Sequence, residues 1–276
     1  MKGMFAATLM CVAVAMNSGA YAAPEDDRKA IVDMVQQRFP NIMFEDYVYG
    51  ALAFSSDSKS QYDSVMEFPP FETEIEKSKK MWETAFNNGK KYADCFPDGG
   101  HNAAGNYPHF DEKLGKVVTF EMALNQCRAA NGEPEYKYGD MATMGLLSVY
   151  ARSLSDGMKM HIQVDSPGAL AMYEAGKRSF FSRRGQLNFS CGSCHVTNVG
   201  KIIRTEYLSP APGQATHWPV FRQGENLFTL QKRYAACQQM IRANPAALGS
   251  EEYNNMEYFH SYLSNGLPMK SAVFRK

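Results

Sequence analysis

The segment from Cys191 to His195 holds the residues of this chain best suited to chemistry. It reads Cys-Gly-Ser-Cys-His, with two thiols three positions apart and an imidazole directly after the second. This is the attachment pattern of c-type haem, in which the thiols bond to the two vinyl groups of the porphyrin and the histidine ligates the iron. The sequence therefore predicts one covalently bound haem c, attached at Cys191 and Cys194 and ligated by His195.

Two other kinds of site also use a Cys-x-x-Cys pair. A dithiol redox motif is expected at the start of a helix within a strand-rich domain, and the helical periodicity of this chain predicts no such domain. A zinc site needs a second pair of ligands at suitable spacing, which the sequence does not provide. Haem attachment is therefore favoured over both.

The N-terminus has the features of an export signal. A basic start, an apolar stretch and a small-x-small site ending at Ala22 indicate a signal peptide over residues 1–22, whose removal would also remove Cys11. We expect the mature protein in a bacterial periplasm, without a membrane span, because no second apolar run is long enough to cross a bilayer. The whole chain is formally neutral, which argues against nucleic acid or an anionic membrane as its main partner.

Helical periodicity dominates the rest of the chain. The spacing of apolar residues predicts helices over residues 25–39, 74–93, 117–130, 140–155, 168–182, 226–243 and 251–264. Residues 54–64 are rich in Ser and Asp and are predicted to form a surface loop. No β alternation of any length competes, so the expected fold class is mainly α.

A weak internal repeat divides the chain in two. Cys127 matches Cys237 at a separation of 110 residues, and a Leu-Ser-x-Gly tetrapeptide follows a helical pattern in each half. Two copies of one small helical domain explain these matches. We predict tandem cytochrome c-like domains over residues 23–160 and 161–276, of which only the C-terminal one retains haem.

The first copy lacks the haem motif. Cys95 is followed by Phe-Pro-Asp-Gly-Gly, with neither a second nearby cysteine nor an adjacent histidine. An oxidising compartment disfavours unpaired thiols, so Cys95 and Cys127 are the expected disulfide pair. Closing a loop of this size would contribute about 3 to 4 kcal/mol on the chain-entropy model. The alternative, a bond from one of them to Cys237, would join the two domains.

Cys237 is then the cysteine without a partner, and Arg233 lies one helical turn before it. A guanidinium at that spacing lowers the pKa of a thiol and favours the thiolate, which is the form that ligates iron and attacks sulfur. Cys237 is thus a candidate for the iron position opposite His195. A buried free thiol beside a solvated arginine is the alternative. Further candidates for the sixth ligand are Met240, Met269, His217 and His260.

These features together resemble the SoxA family, the A subunits of the SoxAX cytochrome complexes of bacterial thiosulfate oxidation. The resemblance covers nearly the whole mature chain and rests on the tandem domains, the C-terminal Cys-x-x-Cys-His and the pair Arg233 and Cys237. Residues 213–222 also look like the family's stretch between the haem site and the distal cysteine. Some members carry two haems, and there the cysteine matching Cys127 ligates the first. The broken motif at Cys95 makes this chain similar to the single-haem members.

The resemblance implies an activity, L-cysteine S-thiosulfotransferase. Thiosulfate would be joined oxidatively to a cysteine of the carrier protein SoxYZ, and electrons would leave through the haem to the partner cytochrome SoxX, with which the chain would form a heterodimer. Cys237 would be both the distal iron ligand and the catalytic cysteine, carried as a persulfide, and Arg233 would hold the anion.

Two other functions stay open. In a monohaem electron-transfer cytochrome c, a Met or His would ligate the iron and Cys237 would be structural. A thiosulfate dehydrogenase would couple two thiosulfates to tetrathionate, although such enzymes generally keep two haems. A subunit that serves only for interaction is not expected, because the haem motif is intact.

Overall fold

The computed structural model describes residues 23–222 and 226–275, so the expected signal peptide over residues 1–22 lies outside it. Within these residues the helices are α1 (Pro24–Arg38), α2 (Ser56–Glu67), α3 (Glu72–Glu83), α4 (Phe120–Ala130), α5 (Leu146–Ser153), α6 (Pro167–Phe181), α7 (Leu230–Met240) and α8 (Glu251–Tyr262). The strands are β1 (His109–Asp111), β2 (Lys116–Val118), β3 (Ile202–Ile203), β4 (Glu206–Tyr207), β5 (Val220–Arg222), β6 (Asn226–Phe228) and β7 (Val273–Arg275). The mainly α prediction is confirmed.

Three local predictions are wrong. The loop expected over residues 54–64 is helix α2, because the Ser55 hydroxyl accepts a hydrogen bond from the Ser58 amide (3.2 Å) and caps the helix start. The helix expected over 74–93 ends at Glu83, where α3 gives way to irregular chain. The helix expected over 226–243 begins as strand β6 and becomes α7 only at Leu230.

The structure also contains three small sheets that the sequence did not predict. β1 pairs with β2 and β3 with β4, both antiparallel, while β5 lies between antiparallel β6 and parallel β7. Each strand has only two or three residues. A period of two cannot be recognised over so short a length, which explains why no alternation was visible.

The disulfide between Cys95 and Cys127 is present, with the two Cα atoms 5.8 Å apart, and this prediction is confirmed. It joins a 3-10 turn, Tyr92–Cys95, to helix α4. Cys237 carries a free thiol, so the alternative bond between the two halves is wrong.

The two halves build their main helix crossings in corresponding ways. Helix α6 crosses α8 at Gly176, where an added Cβ would lie 1.9 Å from the Asn255 carbonyl oxygen. Helix α3 packs on α5 at Ser78, a fully buried residue whose hydroxyl bonds to the Leu146 carbonyl oxygen. A small residue lets the two backbones approach in each half.

Helices α4 and α7, which match each other in the internal repeat, also begin in the same way. Thr119 precedes α4 and Thr229 precedes α7, 110 residues later, and each hydroxyl accepts a hydrogen bond of 3.3 Å from the amide three positions on. In both halves a short antiparallel hairpin leads into the helix, β1–β2 before α4 and β5–β6 before α7. These shared features are the structural counterpart of the internal repeat.

Two four-residue segments join the halves along what we call the seam, Gly157–Met160 and Gly266–Met269. The Met160 amide donates to the Leu267 carbonyl (2.9 Å), and the Met269 amide donates to the Met158 carbonyl (2.8 Å). The two bonds correspond to each other in the internal repeat, because Met160 matches Met269 and Met158 matches Leu267, each pair 109 positions apart. The seam therefore has approximate two-fold symmetry.

A buried charge cluster also lies between the halves. The Arg152 guanidinium donates two hydrogen bonds to the Glu121 carboxylate (3.0 and 2.9 Å) and lies 3.7 Å from Glu257. The Gln231 amide donates to Glu257 (2.9 Å). Two carboxylates thus share one guanidinium away from water.

Candidate functional site

The haem motif lies in a tight turn that follows α6. Ser190 and Ser193 cap each other's backbone, because each hydroxyl accepts a hydrogen bond from the other residue's amide (3.1 and 3.0 Å). These bonds begin a π-helical turn, Ser193–Thr197. Cys191 and Cys194 project from this segment as half-buried free thiols. The geometry leaves both thiols available for bonding.

His195 is held by its Nδ1 atom. That nitrogen lies 2.8 Å from the Ser209 carbonyl oxygen, which can only accept, so Nδ1 carries the proton and donates it. Nε2 makes no hydrogen bond with any residue that the structure describes. Donation from Nδ1 leaves the Nε2 lone pair free, which is the tautomer that a metal-ligating histidine needs. Burial, with a smaller contribution from the Arg233 charge, lowers the pKa of His195 to about 4, so the ring is neutral near pH 7.

Helix α7 presents Arg233 and Cys237 to this motif. The adjoining stripe of the helix is buried through Leu230, Tyr234 and Gln238, whereas Arg233 and Cys237 are both half-buried. The two residues therefore line a helix face that remains partly open.

Electrostatic interactions connect that face to the haem motif. The Cys237 thiol interacts with the thiols of Cys191 and Cys194, and Arg233 interacts with His195. Burial, followed by the nearby Cys237 thiol, raises the pKa of Cys191 to about 12. The five residues singled out by the sequence lie together in the structure.

The other candidates for the sixth iron ligand have different surroundings. His260 uses both ring nitrogens, since the Tyr234 hydroxyl lies 2.8 Å from Nδ1 and the Ala211 carbonyl oxygen 3.2 Å from Nε2. His217 is buried against the Trp218 ring. Met269 is buried in the seam, and Met240 is 45% exposed at the end of α7.

Arg222, at the end of β5, is a charged neighbour of the site that the sequence did not reveal. It interacts electrostatically with Arg233 and with the Cys237 thiol. Burial, and next the Arg233 charge, lower the pKa of Arg222 from its ordinary value. It is the last residue of the stretch 213–222, but no helical spacing relates it to Cys237. The β5–β6 hairpin brings it near.

The residues around the motif fit a haem c. Both attachment thiols are unbonded, Nε2 of His195 is free, and large apolar side chains next to the motif are partly exposed, between 40% and 46%. They are Phe181, Leu187, Phe189 and Met240. Such surface is what an apolar macrocycle would cover. In the described part of the chain, no three His, Cys, Asp or Glu side chains cluster so as to hold a metal ion by themselves, so the zinc alternative gains no support.

Comparison with known proteins gives consistent results. A family model described as the SoxA/TsdA cytochrome c domain matches residues 77–160. The L-cysteine S-thiosulfotransferase subunit SoxA of Chlorobaculum tepidum is 42% identical over 100% of this chain and 98% of its own length. The protein of the same name from Allochromatium vinosum is 40% identical over 99% of both chains. A chain of the crystal structure of SoxXA from P. pantotrophus superimposes with a TM-score of 0.69 at 26% identity, covering 78% of this chain and 84% of that one.

Proposed function

This chain belongs to the SoxA family, and from that membership we infer that it is an L-cysteine S-thiosulfotransferase subunit, a sulfur-transferring enzyme. We propose that it joins thiosulfate oxidatively to a cysteine of the carrier protein SoxYZ. The observation that carries this proposal is the position of α7, which presents Arg233 and Cys237 to the haem motif.

The cytochrome c domain of the family implies haem c. In our proposal a single haem is bonded to Cys191 and Cys194, and its iron is ligated by His195 and Cys237. A second haem is not proposed, because Cys95 lacks a partner motif and is bonded to Cys127. When bound, the haem supplies an acceptor and donor of single electrons.

Arg233 is proposed to bind the substrate anion. Its guanidinium forms no hydrogen bond or ion pair with any residue that the structure describes, so its donors are available to sulfonate oxygens. Cys237 lies one turn further along the same helix face. The anion would thus be held with its outer sulfur near the Cys237 sulfur.

The reaction balances when Cys237 carries a persulfide. The persulfide sulfur and the outer sulfur of thiosulfate form a bond and release two electrons, which leave as two one-electron transfers to c-type cytochrome. The carrier cysteine, as its thiolate, then attacks the outer thiosulfate sulfur and breaks the new bond. The products are carrier cysteine S-thiosulfonate and the regenerated Cys237 persulfide, and the carrier thiol has lost one proton.

We further propose that the chain works in the periplasm as a heterodimer with SoxX. The similarity to a SoxXA structure supports this partner. No helix within residues 23–222 and 226–275 combines the length and apolar character needed to cross a bilayer. Tandem cytochrome c-like domains divided near residue 160 are supported by the matching helix crossings and hairpins of the two halves, and by the family match over residues 77–160.

The proposal is tested by Cys237→Ala in the assembled SoxAX-type complex. Thiosulfate-dependent cytochrome reduction and formation of the carrier conjugate should both be lost, while covalently attached haem, measured by its absorbance in denatured protein, should stay at one per chain. Gln239→Ala, an exposed change on the same helix, is the matched control and should keep full activity.

The alternatives predict other outcomes. Unchanged turnover in Cys237→Ala would exclude the catalytic role of this residue. Tetrathionate as the main product in the presence of carrier, with a haem-to-chain ratio of two, would identify a thiosulfate dehydrogenase instead.

A further inference from the structure

We propose that Arg222 is a second substrate-binding residue, which holds the thiosulfate dianion together with Arg233 beside the Cys237 sulfur. The inference rests on the proposed function, because it concerns the same site and substrate. It adds a specificity-determining residue that no spacing in the sequence indicates.

The sheet places the Arg222 side chain on the face of β5 that is turned towards the main core. Successive side chains of a strand point to opposite faces, so Arg222 shares a face with Val220. Val220 packs in the buried cluster that contains Leu230 and Tyr234 of α7, whereas Phe221 stacks on Phe71 in a separate cluster. Arg222 therefore lies on the face of β5 that is turned towards this core, to which α7 also contributes, and its charge interacts with that of Arg233 on α7.

Neither Arg222 nor Arg233 forms a salt bridge with a residue that the structure describes. The two guanidinium groups repel each other across the site, and neither makes a hydrogen bond or ion pair with any described residue. Glu206 is the acidic group that interacts with Arg222, but it forms no salt bridge with it. Two adjacent, partly buried cations that form no salt bridge with any described carboxylate favour a bound anion.

A second guanidinium also suits the charge of the substrate. Thiosulfate carries two negative charges and three sulfonate oxygens. One guanidinium neutralises half of that charge, and its paired donors bind at most two of the oxygens. Two guanidinium groups match the dianion and leave the outer sulfur free for reaction.

Arg275 differs from Arg222 although the two are neighbours in the sheet register. Its guanidinium donates to the Val48 and Phe274 carbonyl oxygens, each at 3.0 Å, and lies over the Tyr62 ring. Arg275 is therefore committed to structure, whereas the Arg222 side chain donates to no residue within 23–222 and 226–275.

The first half of the chain, which lacks the haem motif, has neither arginine. Asp111 occupies the hairpin position of Arg222, because Asp111 pairs with Lys116 in β2 as Arg222 pairs with Asn226 in β6. Ala123, the fourth residue of α4, occupies the position of Arg233 in α7. The two arginines occur together, and only in the half with the haem motif, which favours a shared role in its chemistry over a role in the hairpin.

The first test is steady-state kinetics of the SoxAX-type complex with Arg222→Gln. The KM for thiosulfate should rise about tenfold or more, since a unit charge near the dianion is lost, while kcat and haem content change little. Arg222→Lys, which keeps the charge without the planar fork, should fall between parent and Gln. Arg178→Gln, an exposed charge on α6, is the matched control and should leave KM unchanged.

A second readout does not depend on turnover. With Cys191 and Cys194 bonded to haem and Cys95 bonded to Cys127, Cys237 is the one remaining cysteine of the described residues. The alkylation of its persulfide by anionic iodoacetate can be compared with that by neutral iodoacetamide. The ratio of the two rates should fall about threefold or more in Arg222→Gln and stay constant in Arg178→Gln.

The outcomes separate this inference from the proposed function. An unchanged KM and an unchanged alkylation ratio in Arg222→Gln would overturn the role of Arg222, even if Arg233→Lys and Cys237→Ala lose activity. If Cys237→Ala keeps full turnover, the proposed function fails, while a changed alkylation ratio would still place a cation at Arg222 beside the thiol.

Discussion

At the scale of single residues, the shape of the Arg233 side chain matters as much as its charge. A guanidinium presents paired donors in one plane, which match two sulfonate oxygens, whereas an ammonium is a point charge on a flexible stem. In the proposed site, where Arg233 lies one turn before Cys237, such paired donors would hold the anion in a defined orientation, with its outer sulfur towards the Cys237 sulfur.

We therefore expect Arg233→Lys to lower kcat/KM for thiosulfate by roughly tenfold, the loss of one good paired hydrogen bond. Arg233→Gln should lower it further because the charge is lost as well. Initial rates of cytochrome reduction over a range of thiosulfate concentrations measure both. Equal rates for the parent and the Lys variant would mean that the charge alone is sufficient.

At the scale of elements, the crossing of α6 and α8 determines where the haem motif begins, because the motif follows α6 after a short loop. Gly176 allows this crossing. An added Cβ would lie 1.9 Å from the Asn255 carbonyl oxygen, so the two helices would have to separate.

Gly176→Ala should therefore destabilise the protein by about 2 kcal/mol or more, since overpacked backbone contacts are relieved only by movement of whole helices. Thermal denaturation followed by circular dichroism measures the effect. Gly139→Ala is the matched control, because an added Cβ at that exposed position meets nothing within 4 Å. An equal melting temperature for both variants would contradict the role assigned to the crossing.

Sequence reasoning succeeded where a signal is local. Cys191, Cys194 and His195 form a contiguous motif, and Arg233 and Cys237 share a helix face, so each group could be recognised from spacing alone. The disulfide followed from counting cysteines. These three arguments identified the family resemblance and its five expected site residues.

The same reasoning failed where tertiary structure decides. Arg222 reaches the site through a hairpin of three-residue strands, which leave no periodic pattern. The Ser-rich start of α2 was predicted to be a polar loop, because serine is common both in turns and at the N-cap of a helix, so residue type alone does not distinguish the two. The hydrogen bond from His195 to the Ser209 carbonyl depends on a loop path that no residue spacing encodes.

At the scale of the whole molecule, the charge cluster between the halves connects stability to pH. Burial, and next the Glu121 charge, raise the pKa of Glu257 from its ordinary value of 4.5 to about 7. Between those two values the folded state binds more protons at this site than the unfolded state. The contribution of Glu257 to stability is thus fully present below pH 4.5 and is lost as the pH rises through 7.

Glu257→Gln should remove this contribution to the pH dependence. We expect the parent's free energy of unfolding, from urea titrations at pH 5, 6, 7 and 8, to fall relative to that of the variant as the pH rises. If the free energies of unfolding of the parent and the variant change in parallel between pH 5 and 8, the pKa of Glu257 is the same in the folded and unfolded states.

The seam has a consequence for the order in which the protein can be completed. On the proposed route to the periplasm, residues 158–160 emerge more than a hundred positions before their partners at 267–269, so the early half waits with an open backbone edge until the rest of the chain has crossed the membrane. The half that contains the Cys191–His195 motif therefore closes the whole structure. A ribosome that stops before residue 269 leaves an unpaired edge, which invites aggregation and proteolysis.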